Sequence, residues 1–373
     1  MSDQPIGPIE TLLIVDDDVV RRMGGLIRHL CVGMIDESVR VTVLGHSSDP
    51  TLADRVGPAR TVMLPRRLLP WHRPSAAAVL EIIGGQVPDL VHCLSADLAR
   101  WFANWAEDWG CPIISTLCDH EDIDQFCSMT AADRLSGFAT TPSVRNALIE
   151  QSPELESRIS VVPLGLPAEQ EPRCGGASDR IATAVVTAPL SRNSGLDVVF
   201  KAMKIVVQDH ADLHLFVLST GKAEDYFRRQ VEDPDLRARV TFAGEMSDWT
   251  TLRTAMAAAD FYIIPGTSGR FTASNLTALA CGLAILAPEG SMEDYLIDAK
   301  TAVIFEPRRP KDLAQKWLAL LQDRESAMRL AQGALDHARS CHQASRMVAE
   351  TAAHYRRLCG IHTAPVDLAA GPF

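Results

Sequence analysis

Short apolar runs alternate with longer segments of helical period along the 373 residues of the chain. Thr11–Val15 (TLLIV) predicts a buried strand closed by a turn at Asp16, Asp17 and Asp18, after which Gly24 and Gly25 open a helical stretch. Val41–Leu44, Asp89–Cys93, Pro112–Leu117, Gly137–Thr141 and Ile159–Val162 read as further strands, with helices over Ala76–Ile83 and Ser143–Glu150. Another helix carries Trp101, Trp105 and Trp109 four residues apart on one face, a spacing that reads as packing rather than an aromatic platform for a ligand.

The alternation stops at Pro167–Arg180 (PAEQEPRCGGASDR), a polar, Pro- and Gly-containing stretch without periodicity that reads as a linker. It then restarts. Strands are expected at Thr183–Thr187, Leu213–Leu218, Val240–Ala243, Phe261–Ile264 and Leu283–Ala287, with helices between them. From Pro310 the pattern is helical to about Leu358, with breaks near Arg324 and Cys341. Strands alternating with helices imply parallel sheets, so the expected class is α/β, with two Rossmann-like doubly wound domains. The expected division is 1–166, a linker at 167–180, a second domain at 181–340, and 341–373 as a helix crossing back to the first domain plus a tail. Ligands of such sheets sit at the carboxyl ends of the strands, so a site is expected in a cleft between the domains.

Composition narrows the partners. Hydrophobic residues make up 47% of the chain and charged residues 22%, as in globular proteins. The net charge of −11 argues against nucleic acid. Nine cysteines without paired spacing read as reduced thiols, and the polar start Met-Ser-Asp-Gln-Pro lacks a signal-peptide pattern, so the expected compartment is the cytoplasm. No apolar run reaches the roughly 20 residues a membrane helix needs. Leu64–Pro74 (LPRRLLPWHRP) mixes Arg with Leu and Trp; a proline-bounded loop outweighs peripheral membrane or acceptor contact as its reading.

Two acidic clusters invite a metal. Asp16, Asp17 and Asp18 could hold a cation beside an acceptor aspartate, but the stretch Asp54–Leu64 offers no strand that would end in one. Cys118 to Cys127 (CDHEDIDQFC) matches no zinc spacing and reads as an acidic helix start. No metal is expected, and no cofactor.

From the linker onward the sequence resembles the family-4 glycosyltransferases of the GT-B fold. The resemblance is carried by Gly195-Leu196-Asp197, Val240–Gly244 (VTFAG), Ala259–Pro265 (ADFYIIP), Ala278–Ile285 (ALACGLAI), and Gly290, Glu293 and Thr301–Phe305. In the first half Gly24-Gly25 is similar to the family's glycine loop, Pro88–His92 to its "PDVVH" and Val161–Leu166 to its "VIPNGVD". The resemblance implies a nucleotide-sugar donor as substrate and a glycan or lipid-linked acceptor.

It also implies a site with gaps. The breaking sugar–phosphate bond sheds negative charge onto the diphosphate, which needs cations or N–H groups. Where the family has an Arg and a Lys, this chain has Pro189 and Ser194, with Arg192 between them as a substitute. The family's two glutamates fall on Gly269 and Thr277, and its first-domain histidine on Cys118, beside Asp119 and His120. The resemblance thus leaves Asp119 and His120 as candidate acid–base residues. Gly24, Gly25, Arg192, Ser274, Asn275, Thr277 and Glu293 are left as candidate donor contacts. The expected function is a glycosyltransferase homologue with a degenerate donor site, weak or silent in catalysis, that binds a sugar, nucleotide or partner. The alternative is an active retaining transferase with a rebuilt donor site.

Overall fold

The computed structural model describes residues 7–46, 52–64, 75–129, 134–172, 181–210, 212–246, 248–266 and 271–361. The chain divides into two compact units, Met1–Gly165 with His342–Phe373, and Leu166–Cys341. Each is a parallel sheet flanked by helices.

The first unit runs β1 (Ile9–Asp16), α1 (Asp17–Asp36), β2 (Val39–His46), α2 (Leu52–Val56), β3 (Arg60–Met63), α3 (Ala76–Ile83), β4 (Leu90–Cys93), α4 (Ala96–Trp109), β5 (Ile113–Leu117), α5 (His120–Cys127), β6 (Leu135–Ala139), α6 (Pro142–Gln151) and β7 (Ile159–Val161). Its strand order is β3-β2-β1-β4-β5-β6-β7. Leu12, Leu13, Ile14 and Val15 are all buried, as expected of a central parallel strand covered on both faces. On α4, Trp105 is buried against Phe102, with ring centroids 4.4 Å apart, and lies 5.9 Å from Trp109; Trp101 stays 37% exposed.

The first strand corrects the reading of its surroundings. β1 extends through Asp16, whose side chain accepts from the Val19 N–H and caps α1. The acidic residues therefore start a helix instead of forming a turn, because a carboxylate satisfies first-turn N–H groups and complements the helix dipole. Gly24 and Gly25 consequently lie inside α1 and not in a loop. A further strand, β3, exists where none was expected. Its residues at the sheet edge are exposed or half-buried, so it carries no continuous apolar run, and it ends at Met63 without an aspartate.

The second unit runs β8 (Ala182–Val186), α7 (Leu196–Asp209), β9 (Leu213–Val217), α8 (Glu224–Gln230), α9 (Pro234–Arg237), β10 (Val240–Phe242), α10 (Trp249–Ala257), β11 (Phe261–Ile263), α11 (Ala273–Ala280), β12 (Ala284–Pro288), β13 (Ala302–Phe305), α12 (Pro310–Gln322) and α13 (Arg324–Cys341). The strand order is β10-β9-β8-β11-β12-β13. Trp317, Phe200, Phe227 and Leu313 fill its core against Val186, Leu215 and Ile263. Of the expected linker, residues 173–180 lie outside the described residues. The preceding stretch is anchored on the second unit: Glu169 N–H donates to Ala280 O, and its carboxylate pairs with Arg253 at 2.6 Å.

The last helix, α14 (Ala344–Leu358), belongs to the first unit and packs along α1. Its Tyr355 hydroxyl lies 2.6 Å from His92 Nδ1, and Thr116 Oγ1 lies 2.8 Å from His92 Nε2, so both ring nitrogens are engaged. Burial pushes the His92 pKa down to about 3, which keeps the ring neutral. Among the described residues no helix is long and apolar enough to cross a membrane. Of the segment Leu64–Pro74, all but Leu64 lies outside them.

Candidate functional site

In the second sheet the chain leaves β8 toward β9 and β10 on one side, and β11 leads to β12 and β13 on the other. The carboxyl ends of β8 and β11 therefore form the point of reversal where doubly wound sheets bind ligands. A connected set of polar side chains occupies it. Thr187 follows β8 directly, and its hydroxyl lies 2.5 Å from the hydroxyl of Tyr262 on β11. Tyr262 donates to Asn275 Oδ1 at 2.9 Å, and Asn275 Nδ2 donates to both Glu293 oxygens at 3.0 Å. Ser291 and Tyr295 hydroxyls donate to the same carboxylate at 3.2 and 2.6 Å.

Burial raises the Glu293 pKa, and the hydrogen bonds from Tyr295, Asn275 and Ser291 act against that rise. A carboxylate engaged in this way is committed to the protein. Burial likewise pushes the Tyr262 phenol above its ordinary value, so it is a neutral donor.

Two close backbone approaches hold the surrounding loops. Gly195, the N-cap of α7, has φ +82°, and a Cβ there would lie 2.3 Å from Pro265 O. Glycine alone fits, which explains the Gly-Leu-Asp start of this helix. A Cβ on Gly221 would lie 2.5 Å from Leu190 O; Leu190 N–H donates to Thr220 O, and Ala223 N–H donates to Leu190 O. These contacts join the loop after β8 to the loop after β9. Exposed Arg192 on the first loop stacks 4.5 Å over Tyr226, and exposed Lys222 stands on the second. Sequence reading had singled out Arg192 but not Lys222, because the pairing of the two loops has no local signal.

The other candidates of this unit fall into distinct settings. Thr277 is buried and its hydroxyl donates to Ala273 O at 2.7 Å, within α11. Ser274 is half-buried in the first turn of α11, next to Asn275. Gly269 lies outside the described residues. So Asn275 and Glu293 are brought together, while Thr277 turns back on its own helix.

Helix starts at this edge differ from those of the first unit. Neither Gly195 nor Thr272 caps its helix with a side chain, although Ser194 Oγ, one residue earlier than Gly195, accepts from the Leu196 N–H at 3.4 Å; α10, after the outer strand β10, is capped by Asp248. In the first unit Asp16, Ser95, Asp119 and Thr141 each accept an N–H bond at the starts of α1, α4, α5 and α6. Asp119 is thereby engaged by the Asp122 N–H, and His120, the first residue of α5, is exposed. Asp122 is buried and accepts from Ala96 and Cys118 N–H groups, tying α5 to α4 and β5. Gly24 and Gly25, inside α1, have N–H groups that a helix pairs internally. Among the described residues no group of three or more side chains could hold a metal.

Comparison with known proteins follows the same division. Residues 175–337 match the family described as "Glycosyl transferases group 1". No curated protein matches the chain by sequence. Solved structures match nearly its full length at low identity. A glycosyltransferase from Rickettsia africae has a TM-score of 0.74 at 14% identity, covering 95% of this chain and 99% of that one. Anabaena HepE in complex with UDP has 0.71 at 15%, covering 94% and 100%. Sucrose-phosphate synthase from Thermosynechococcus elongatus has 0.73 at 15%, covering 95% and 100%. The fold, two parallel-sheet α/β domains, is that of the GT-B glycosyltransferases.

Proposed function

We propose that this protein binds a nucleotide or sugar nucleotide on the carboxyl edge of its second sheet and turns it over weakly or not at all. The observation that carries the reading is the contrast in helix starts. At the reversal point neither Gly195 nor Thr272 caps its helix with a side chain, so the positive ends of both helix dipoles favour an incoming anion, with Ser194 Oγ taking the Leu196 N–H at 3.4 Å. The match of residues 175–337 to a glycosyltransferase family, and the UDP bound by the similar Anabaena protein, make a nucleotide diphosphate the ligand of choice.

The reading of weak turnover rests on what the carboxylates are doing. Glu293 is enclosed by three protein partners and Asp119 caps a helix, while the family's charged positions at 189, 194 and 277 hold Pro, Ser and a buried Thr. A transition state that loads charge on a diphosphate lacks the clamp it needs. One observation favours the alternative, an active retaining transferase that passes a sugar to a glycan or lipid-linked acceptor. Arg192 and Lys222 stand exposed on two loops held together by backbone bonds, where they could replace that clamp.

Thermal unfolding against a panel of nucleoside diphosphates and sugar nucleotides tests the binding. A ligand at a hundred times its Kd stabilises the fold by about 2.7 kcal/mol and raises Tm visibly. Flat Tm values across the panel would end the proposal. Release of nucleoside diphosphate from a bound sugar nucleotide, lost in Arg192→Ala and Lys222→Ala, would establish the transferase reading in its place.

A further inference from the structure

The side chains at the reversal point also have a proton order, and it decides what Thr187 can offer a ligand. Glu293 receives Asn275 Nδ2 on both oxygens, with Tyr295 on Oε1 and Ser291 on Oε2. An acceptor set of this kind fixes the Asn275 amide with nitrogen toward Glu293 and oxygen toward Tyr262. The single phenolic proton of Tyr262 then goes to Asn275 Oδ1. The 2.5 Å contact between Tyr262 and Thr187 must accordingly be made with the proton of Thr187. Thr187 is half-buried, the first residue beyond the central strand β8, with no second hydrogen-bond partner among the described residues.

We infer that the Thr187 hydroxyl acts as a hydrogen-bond acceptor for a hydroxyl group of the bound ligand, held in that role by the chain Tyr262–Asn275–Glu293. An oxygen whose only proton is spent inward offers lone pairs alone. It repels phosphate oxygens and accepts from a hydroxyl. The position thus selects a ribose or sugar hydroxyl, the task a carboxylate would perform and that the inward-turned Thr277 does not. Glu293, Asn275 and Tyr262 are positioning residues that act through Thr187. The inference rests on the reading that a nucleotide or sugar nucleotide binds at this edge.

The test is a set of Kd values for the intact protein with the uridine, guanosine, adenosine and cytidine diphosphates, their 2′,3′-dideoxy counterparts and their glucose-bearing forms. The wild type is expected to prefer a hydroxyl-bearing ligand about tenfold, the worth of one buried hydrogen bond. Thr187→Val removes that preference, Thr187→Ser keeps it, and Tyr262→Phe, which frees the Thr187 proton to face outward, reduces it. If Thr187→Val erases the diphosphate-to-dideoxy difference, the hydroxyl read is on ribose. If it erases only the gain from glucose, the hydroxyl is on the sugar. Should a folded Thr187→Val protein keep both differences, the inference is overturned while nucleotide binding stands. Absence of binding by the wild type to every compound overturns both, and so separates the two failures.

Discussion

The two units share a sheet plan and treat its carboxyl edge in opposite ways. In the first, the helix starts are closed by the protein's own side chains: Asp16, Ser95, Asp119 and Thr141 each occupy a first-turn N–H group, and buried Asp122 accepts from Ala96 N–H at the start of α4 and from Cys118 N–H after β5. In the second, neither Gly195 nor Thr272 caps its helix with a side chain, Ser194 Oγ alone takes the Leu196 N–H, and the Glu293 carboxylate is locked to neutral donors. Capping by a side chain stabilises a helix and removes the anion site its dipole would otherwise make. The difference teaches that a shared fold places ligand edges in both units, whereas caps decide which edge is spent on stability.

The largest effect separating the units is their response to acid. His92 is buried with its pKa lowered to about 3, and burial together with Arg357 lowers His354 to about 4. Both are lowered, so the unfolded chain takes up protons first; the associated stability is complete above pH 6.5 and is lost as pH falls toward those values. The His92 share is on the order of 5 kcal/mol. Glu293 is raised, so its cost is present at neutral pH and relieved as pH falls through its folded value. Urea unfolding followed through Trp105 for the first unit and Trp317 for the second should show the first weakening more on acidification. In the second, His214, His337, Asp233, Asp312 and Asp323 are lowered and also lose stability in acid, and Glu293 offsets part of that loss. Equal acid sensitivity in both units would break the comparison, and His92→Gln should flatten the response of the first.

Next in size is backbone strain at the open edge. Gly195→Ala places a Cβ against Pro265 O in a left-handed conformation and should cost about 3 kcal/mol, read as a drop in urea midpoint. A neutral Gly195→Ala would mean that the loops after β8 and β11 do not meet as described. Cap removal draws the contrast itself. Asp119→Ala should destabilise by about 1 kcal/mol, and Thr272→Ala, at the uncapped start of α11, by a few tenths at most. Equal losses from the two would abolish the distinction. Smallest in stability are Arg192→Ala and Lys222→Ala. Both side chains are exposed, so Tm should move little while nucleoside diphosphate binding weakens severalfold. A change in Tm with unchanged binding would remove these two residues from the site.

Much of the fold was legible because it is written in local patterns. Central strands buried on both faces read as continuous apolar runs, as in Leu12–Val15 and Ala284–Ala287. β3 does not, with Arg60 and Met63 exposed and Thr61 and Val62 half-buried, and it escaped for that reason, whereas the edge strands β7 and β10 were read. Gly24 and Gly25 misled because a glycine pair reads as a loop, whereas the Asp16 cap had already started the helix. Within the site, Asn275 and Glu293 were recognisable as candidates. Their partners Tyr262 and Thr187 were not, because a buried Tyr or Thr in a strand is indistinguishable by sequence from a packing residue.

By itself the sequence determined the class and the alternation of strand and helix. Those follow from periodicity and residue identity, which act over a few positions. Tertiary structure alone decided which polar groups are spent and which remain on offer. Hydrogen-bond partners are chosen by closeness in space: Glu293 meets Asn275 eighteen residues away, and Thr187 meets Tyr262 across seventy-five. Burial then sets the strength of each bond and the charge state of each group, and neither exists until the sheet has brought its strands together.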